Sequence, residues 1–260
     1  MKKFRSDLTK YWGYCKYAAK SQLKAEVANS YLNWIWWILE PFCLMLIYSF
    51  VFGFLFKHRE DYYNVYIFIG LSVWDFFGRC VRAAVSIVKA NKPIVSKVYL
   101  PKFILIVSNM MVNGFKMLVC LGISVVMMIV YRVPVDWHVI LILPVVLCMI
   151  LFTFGCCTIL LHLGVFIDDM NKVITIVLRF TFYLSGIFYN IERSIPHPYS
   201  DVLLTGNPMA LFSASMRDAM LYEQGPVWWR LGVWFVISLI LAVFGVWNIY
   251  RSENNYVKVI

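Results

Sequence analysis

Residues 103–131 read FILIVSNMMVNGFKMLVCLGISVVMMIVY, and Lys116 is the single charged side chain among them. About 20 residues of helix, at about 1.5 Å each, cover the roughly 30 Å of hydrocarbon in a bilayer. Backbone groups in lipid have no water to bond with, so a run of this kind folds as helix. The pattern recurs at 34–56, 62–88, 137–167, 173–191 and 227–250. With 62% hydrophobic and 15% charged residues, the chain reads as an all-α integral membrane protein with six transmembrane helices. The second run weakens after Gly78, where Arg79 and Arg82 appear, and the fourth contains Pro144.

The net charge of +10 would suggest nucleic acid in a soluble protein. In a chain this apolar it sets orientation and meets anionic lipid, so nucleic acid is not among the expected partners. Sixteen Lys and Arg residues fall on the side of both termini and six on the other, which places both termini in the cytoplasm. The expected organisation is a cytoplasmic and interfacial segment 1–33, a transmembrane domain 34–250 and a cytoplasmic tail 251–260. The basic start MKKFRSDLTK leads into a polar, lysine-studded segment, unlike a secretory signal. Within 8–28, Leu8, Tyr11, Trp12, Cys15, Ala19 and Leu23 share a helical face beside a stripe of Lys16, Lys20 and Lys24. That pattern predicts an amphipathic helix in the cytoplasmic interface.

Two further segments are too short to span. After the second run, KANKPIVSKVYLPK has Pro93 suited to a first helical turn and Pro101 as a stop. A helix over 93–100 puts Ile94, Val95, Val98 and Tyr99 on one face. Such a small apolar patch beyond the membrane fits docking into a groove on a soluble partner; the alternative is a helix folded back on its own bundle. Between the last two runs, NPMALFSASMRDAMLYEQGP is bounded by turn signals and carries a mostly apolar face that includes Phe212 and Met216. It reads as a re-entrant or interfacial helix. The preceding FYLSGIFYN places a break at Ser185–Gly186, and with Phe188 and Tyr189 these residues are candidates for a gate.

Glu40, Asp75, Lys116 and Arg179 fall inside apolar runs, so each should face protein or water. Asp75 and Arg79 are spaced to pair on one helix. For Lys116 and Arg179 two readings stand: pairing with Glu40 or backbone carbonyls, or contact with an anionic group crossing the membrane. WIWWILEP opens the first run. Pro41 predicts a bend, Trp34 and Trp37 anchor or line the passage, and Tyr48 and Phe52 continue the aromatic surface, where flat rings pack against sugars. The seven cysteines read as small core residues; there is no CxxC, HExxH or other metal spacing, and no metal site is expected. No GxxxxGK[ST] loop is present, so no P-loop ATPase is expected in this chain.

Taken in order, the amphipathic start, YLNWIWWILEPF, NKPIVSKVYLPK, FYLSGIFYN and NPMALFSASMRDAML resemble the membrane subunit of type-2 ABC exporters for cell-surface polysaccharides such as O-antigen, capsule and teichoic acid. The resemblance implies a homodimer of six-span subunits in a bacterial cytoplasmic (inner) membrane, joined to two copies of a separate ATPase subunit that binds ATP and Mg. It implies a coupling helix at about 93–100, with Pro93, Ile94, Val95, Val98 and Tyr99 facing the ATPase, and re-entrant gate helices at about 189–222. It further implies a glycan substrate on a lipid carrier, commonly undecaprenyl diphosphate, and no cofactor in this chain. FIDDMNK departs from the family pattern, because Asp168 stands where many relatives have a basic residue. Alternatives are a drug or small-molecule exporter of the same superfamily and, in a different class, a membrane-embedded glycan-modifying enzyme. The enzyme needs an acid/base cluster that the scattered histidines do not supply. A purely structural scaffold would leave the re-entrant segment without a role.

Overall fold

The computed structural model describes residues 2–28, 33–55 and 60–259, and among these every regular element is a helix. They are α1 (Lys2–Ala28), α2 (Asn33–Tyr48) with a π-helical continuation over Ser49–Leu55, α3 (Tyr63–Ala90), α4 (Lys92–Val95) and α5 (Phe103–Val130). A 3-10 turn (Trp137–Leu141) leads into α6 (Ile142–Phe166), followed by α7 (Met170–Leu184), α8 (Ile191–Ser194), α9 (Tyr199–Gly206), α10 (Pro208–Leu221) and α11 (Trp228–Val259). Residues 29–32 and 56–59, including the end of the first apolar run and the cations Lys57 and Arg59, lie outside the described residues.

Helix α3 forms the centre, with α2, α5, α6, α7 and α10 packed around it. Nineteen of its 28 residues are buried, and its charged residues run from Asp75 to Lys89. Helices α6 and α11 lie close together because Gly155 leaves room: a Cβ there would meet the Leu241 Cβ at 2.8 Å. Small residues at such crossings let backbones approach in a medium that offers little hydrophobic drive between helices.

Four stretches have the length and composition to cross a membrane: Trp34–Phe54, Phe103–Val130, Trp137–Phe166 and Trp228–Glu253. The expected second and fifth spans fall on α3 and α7. Helix α3 is long enough but carries Asp75, Arg79, Arg82 and Lys89. Helix α7 has 15 residues, about 22 Å of rise, and stops at the predicted Ser185–Gly186 break, where Gly186 takes φ +62°. The 250/251 boundary is not a break, since α11 continues to Val259.

Pro41 does not interrupt α2. Proline removes the amide that would bond the carbonyl four residues back. That carbonyl belongs to Trp37, and the Cys120 thiol on α5 donates to it at 3.7 Å. The departure from α geometry falls instead at the π segment Ser49–Leu55. Helix α1 is amphipathic as expected but packs on the bundle. Cys15 and Ala19 are buried and the Phe4 ring lies 4.8 Å from Phe103, while Trp12 is half exposed. Asn207 caps α10 by accepting from the amides of Met209 and Ala210, with Pro208 in the first turn.

Candidate functional site

The loop between α3 and α5 begins as the short helix α4, and helical bonding reaches Val98, whose amide donates to the Ile94 carbonyl. Val95 and Leu100 are buried and fasten the loop to the bundle, whereas Pro93, Ile94, Val98 and the Tyr99 ring are exposed. The four-residue face expected from the sequence therefore divides: Val95 points in, and Ile94, Val98 and Tyr99 remain uncovered. The Tyr99 hydroxyl donates to Glu253 on α11 at 2.9 Å, and its carbonyl accepts from the Tyr11 hydroxyl on α1. Burial of the hydroxyl and then the bond to Glu253 push Tyr99 up to about 12. Lys102, 2% exposed, lies 3.5 Å from the same carboxylate. The loop is thus tied to the end of α11 through the buried Glu253 carboxylate and to α1 through the Tyr99 carbonyl. Beside it Lys89 pairs at 2.7 Å with Asp168 and holds that carboxyl below its usual range. Both partners are exposed, so this pair adds little stability.

Two charge clusters sit deeper along the helices. Arg79 reaches Glu40 at 2.6 Å and Asp75 at 3.2 Å, joining α2 to α3. Lys116 pairs with Glu26 of α1 at 2.7 Å and lies over the Trp37 ring, whose indole N–H donates to the same glutamate. Glu40 is exposed and pairs with Arg79. Lys116 finds its carboxylate on α1, not on Glu40. Arg179 makes no ion pair or hydrogen bond among the described residues; it stands on a face of α7 where Val173, Ile176, Val177, Phe180 and Tyr183 are also exposed. Trp34, Trp36, Leu46, Ile47, Phe50 and Phe54 leave a matching apolar face on α2 and its π extension.

At the opposite end the expected channel and gate residues meet. Phe188 is buried, stacks on Phe52 at 4.7 Å and touches Tyr48 at 4.4 Å and Phe182 at 5.2 Å. Aromatic pairs at these separations add to burial energy. Tyr189 donates its hydroxyl to the Tyr183 carbonyl. Phe212 and Met216 are fully buried and contribute to the packing of α10 against α3 and α6. The break after α7 frees backbone carbonyls, and Arg217 of α10 collects them. Its guanidinium, itself buried, donates to Tyr66 at 3.0 Å, Gly186 at 2.8 Å and Ile187 at 3.1 Å, and lies 3.6 Å from the Tyr66 ring centre. At the surface of this end, hydrogen bonds from Arg230 and His197 hold the Asp201 carboxyl below its usual range, and Glu60 takes Arg193 and the Tyr222 hydroxyl.

Sequence reasoning missed Arg217, Glu26 and the Lys102–Glu253 pair. A signal for Arg217 was present: an arginine in an apolar helix, following a glycine break that leaves carbonyls in need of donors.

The arrangement is that of a polytopic helical membrane protein with a short anchored loop at its basic end and a packed helical insertion at the other. The chain belongs to the ABC-2 type transporter family, which matches residues 14–221. It is 26% identical over 240 residues to the O-antigen export system permease protein RfbA of Klebsiella pneumoniae, covering 92% of this chain and 91% of that one. A Myxococcus xanthus protein of the same name is 25% identical over 218 residues, covering 84% of each chain.

Proposed function

We propose that this chain is the permease subunit of an ATP-driven exporter that moves a lipid-linked polysaccharide across the cytoplasmic membrane. The observation that carries this reading is the likeness to O-antigen export permeases over most of the chain, within a family whose match also covers most of it. In this reading α2, α3, α5, α6, α7 and α11 are the six spans, both termini are cytoplasmic, and α8 to α10 form the re-entrant gate. Two copies face each other across the uncovered surfaces of α2 and α7, and the passage runs between them. ATP and Mg bind a separate partner subunit that docks on Ile94 and Val98. Closure of the partner pushes the loop, and Tyr99 and Lys102 pass the displacement to α11 and α5 through Glu253. The glycan, on a carrier such as undecaprenyl diphosphate, meets Arg179 with its diphosphate and the aromatics of α2 with its sugars.

Co-purification tests the reading. Tagged chain extracted from its native membrane is expected to bring down an ATP-hydrolysing subunit and a second copy of itself. Cells lacking the chain are expected to hold lipid-linked glycan on the cytoplasmic side. Absence of an associated ATPase, or a normal surface glycan without the chain, removes the reading. For Arg179→Gln, the fold should be unaffected because the side chain has no partner among the described residues. Loss of one charge-assisted contact, about 1.5–3 kcal/mol, corresponds to roughly a tenfold or greater fall in export. Unchanged flux in a folded variant excludes Arg179 from the passage.

A further inference from the structure

A large apolar groove of about 1050 Å³ lies between α1, α5, α6 and α11, away from the uncovered α2 and α7 faces. Its floor includes Phe76, Met110 and Gly114, and its rim includes the exposed Leu118 and Leu147. Along α5 the lining runs from Val107 to Leu118, and along α11 from Leu239 to Tyr250. Each is about 16 Å at about 1.5 Å per residue, which is close to half of a roughly 30 Å hydrocarbon core. The walls are apolar up to one end, where Lys3, Trp12, Trp247 and Tyr250 line the mouth. Lys3 lies over the Tyr250 ring at 4.9 Å and Arg251 over the Trp247 ring at 5.2 Å, so two exposed cations stand at the same mouth. Neither is in an ion pair among the described residues.

We infer that the groove between α5, α6 and α11 is a binding site for one anionic phospholipid of the leaflet that faces the basic end, with acyl chains in the groove and the headgroup phosphate between Lys3 and Arg251. Three features select this occupant. The depth matches a single leaflet, so acyl chains fill it without crossing the midplane. Indole rings at the mouth belong at the headgroup level, where one edge is apolar and the other wet. The two cations supply charge complementarity that a neutral lipid or an apolar protein surface leaves unused, and basic residues near a membrane surface favour anionic lipid. The site needs only that the chain is embedded in a membrane; it stands apart from the glycan reading and from the surfaces assigned to the passage. Because α1 forms one wall, the lipid would bridge the interfacial helix to the last span.

Native mass spectrometry of the full chain in detergent, titrated with phosphatidylglycerol or with phosphatidylcholine of the same acyl chains, tests the assignment. The wild type is expected to retain one phosphatidylglycerol with about tenfold preference over phosphatidylcholine. The double variant Lys3→Gln, Arg251→Gln, at two exposed positions, is expected to bring the two lipids within about twofold while still retaining lipid. Gly114→Leu narrows the groove and is expected to lower retention of both. Equal retention by the wild type, or an unchanged preference in the double variant, overturns the proposal. So does displacement of phosphatidylglycerol by an equimolar polyprenyl diphosphate, which would make the groove a carrier-lipid site. A dimer lost on Gly114→Leu would likewise overturn it, by assigning the groove to a second copy.

Discussion

Arg217→Leu is expected to destabilise the chain by about 3–5 kcal/mol and to lower the yield of folded protein in the membrane. The guanidinium donates to three backbone carbonyls, those of Tyr66, Gly186 and Ile187, and is itself buried. Leucine restores the apolar volume but removes all three donors: the Ile187 carbonyl loses the partner it has here, the Gly186 carbonyl keeps only the Tyr66 hydroxyl at 3.4 Å, and the Tyr66 carbonyl keeps only its place in the α3 ladder. Each hydrogen bond to a charged group contributes about 1.5–3 kcal/mol, and an orphaned buried acceptor costs a comparable amount. The carbonyls cannot turn to water, because Gly186 and Ile187 are pinned between α7 and α8 and Tyr66 lies within α3. Arg217→Lys is expected to recover part of the loss, since an ammonium reaches one or two of the three acceptors but lacks the planar fork. Gly70→Leu is expected to resemble Arg217→Leu, because a side chain at Gly70 occupies the guanidinium position. Thermal unfolding of the purified variants in detergent, followed by circular dichroism, is the measurement. An Arg217→Leu midpoint equal to wild type would show that the guanidinium does not hold the insertion in place.

Ile94→Asp combined with Val98→Asp is expected to leave the chain folded and abolish its association with an ATPase partner. Both side chains are exposed, and substitution at exposed positions typically changes stability by less than about 0.5 kcal/mol. Docking of these two apolar groups into a groove contributes about 1.5–3 kcal/mol each, so their replacement by carboxylates lowers affinity at least about 100-fold. Co-purification at equal expression reads the loss of association, and surface glycan reads the loss of export. Full association of the double variant would move the docking surface away from this loop. Val95 is the internal contrast: it is buried, so Val95→Asp is expected to fail by unfolding the loop rather than by losing the partner.

Much of the architecture was legible in the sequence for a simple reason. Hydrocarbon forces every crossing segment to satisfy its own backbone, so length and composition alone mark a helix. The break at Ser185–Gly186, the Asn207–Pro208 helix start and the short helix after Asn91 follow from equally local rules, and the structure has all three. At Pro41 a local rule meets a tertiary partner: α2 runs on through the proline, and Cys120 of α5 supplies a donor to the Trp37 carbonyl that the missing amide would have bonded.

What the sequence alone determined is therefore the long apolar helices and their order, the concentration of basic residues in particular segments, and the segments too short to cross a membrane. Each depends on residues within one or two turns of one another. Only the tertiary structure decided that Glu40 answers Arg79, that Lys116 answers Glu26, that Arg217 holds the carbonyls of a broken helix, and that Glu253 ties the α4 loop to α11. Those pairings join separate helices. A helical period gives the face on which a charge lies, but its partner is set by the rotation, tilt and depth of two packed helices, and no local spacing encodes these.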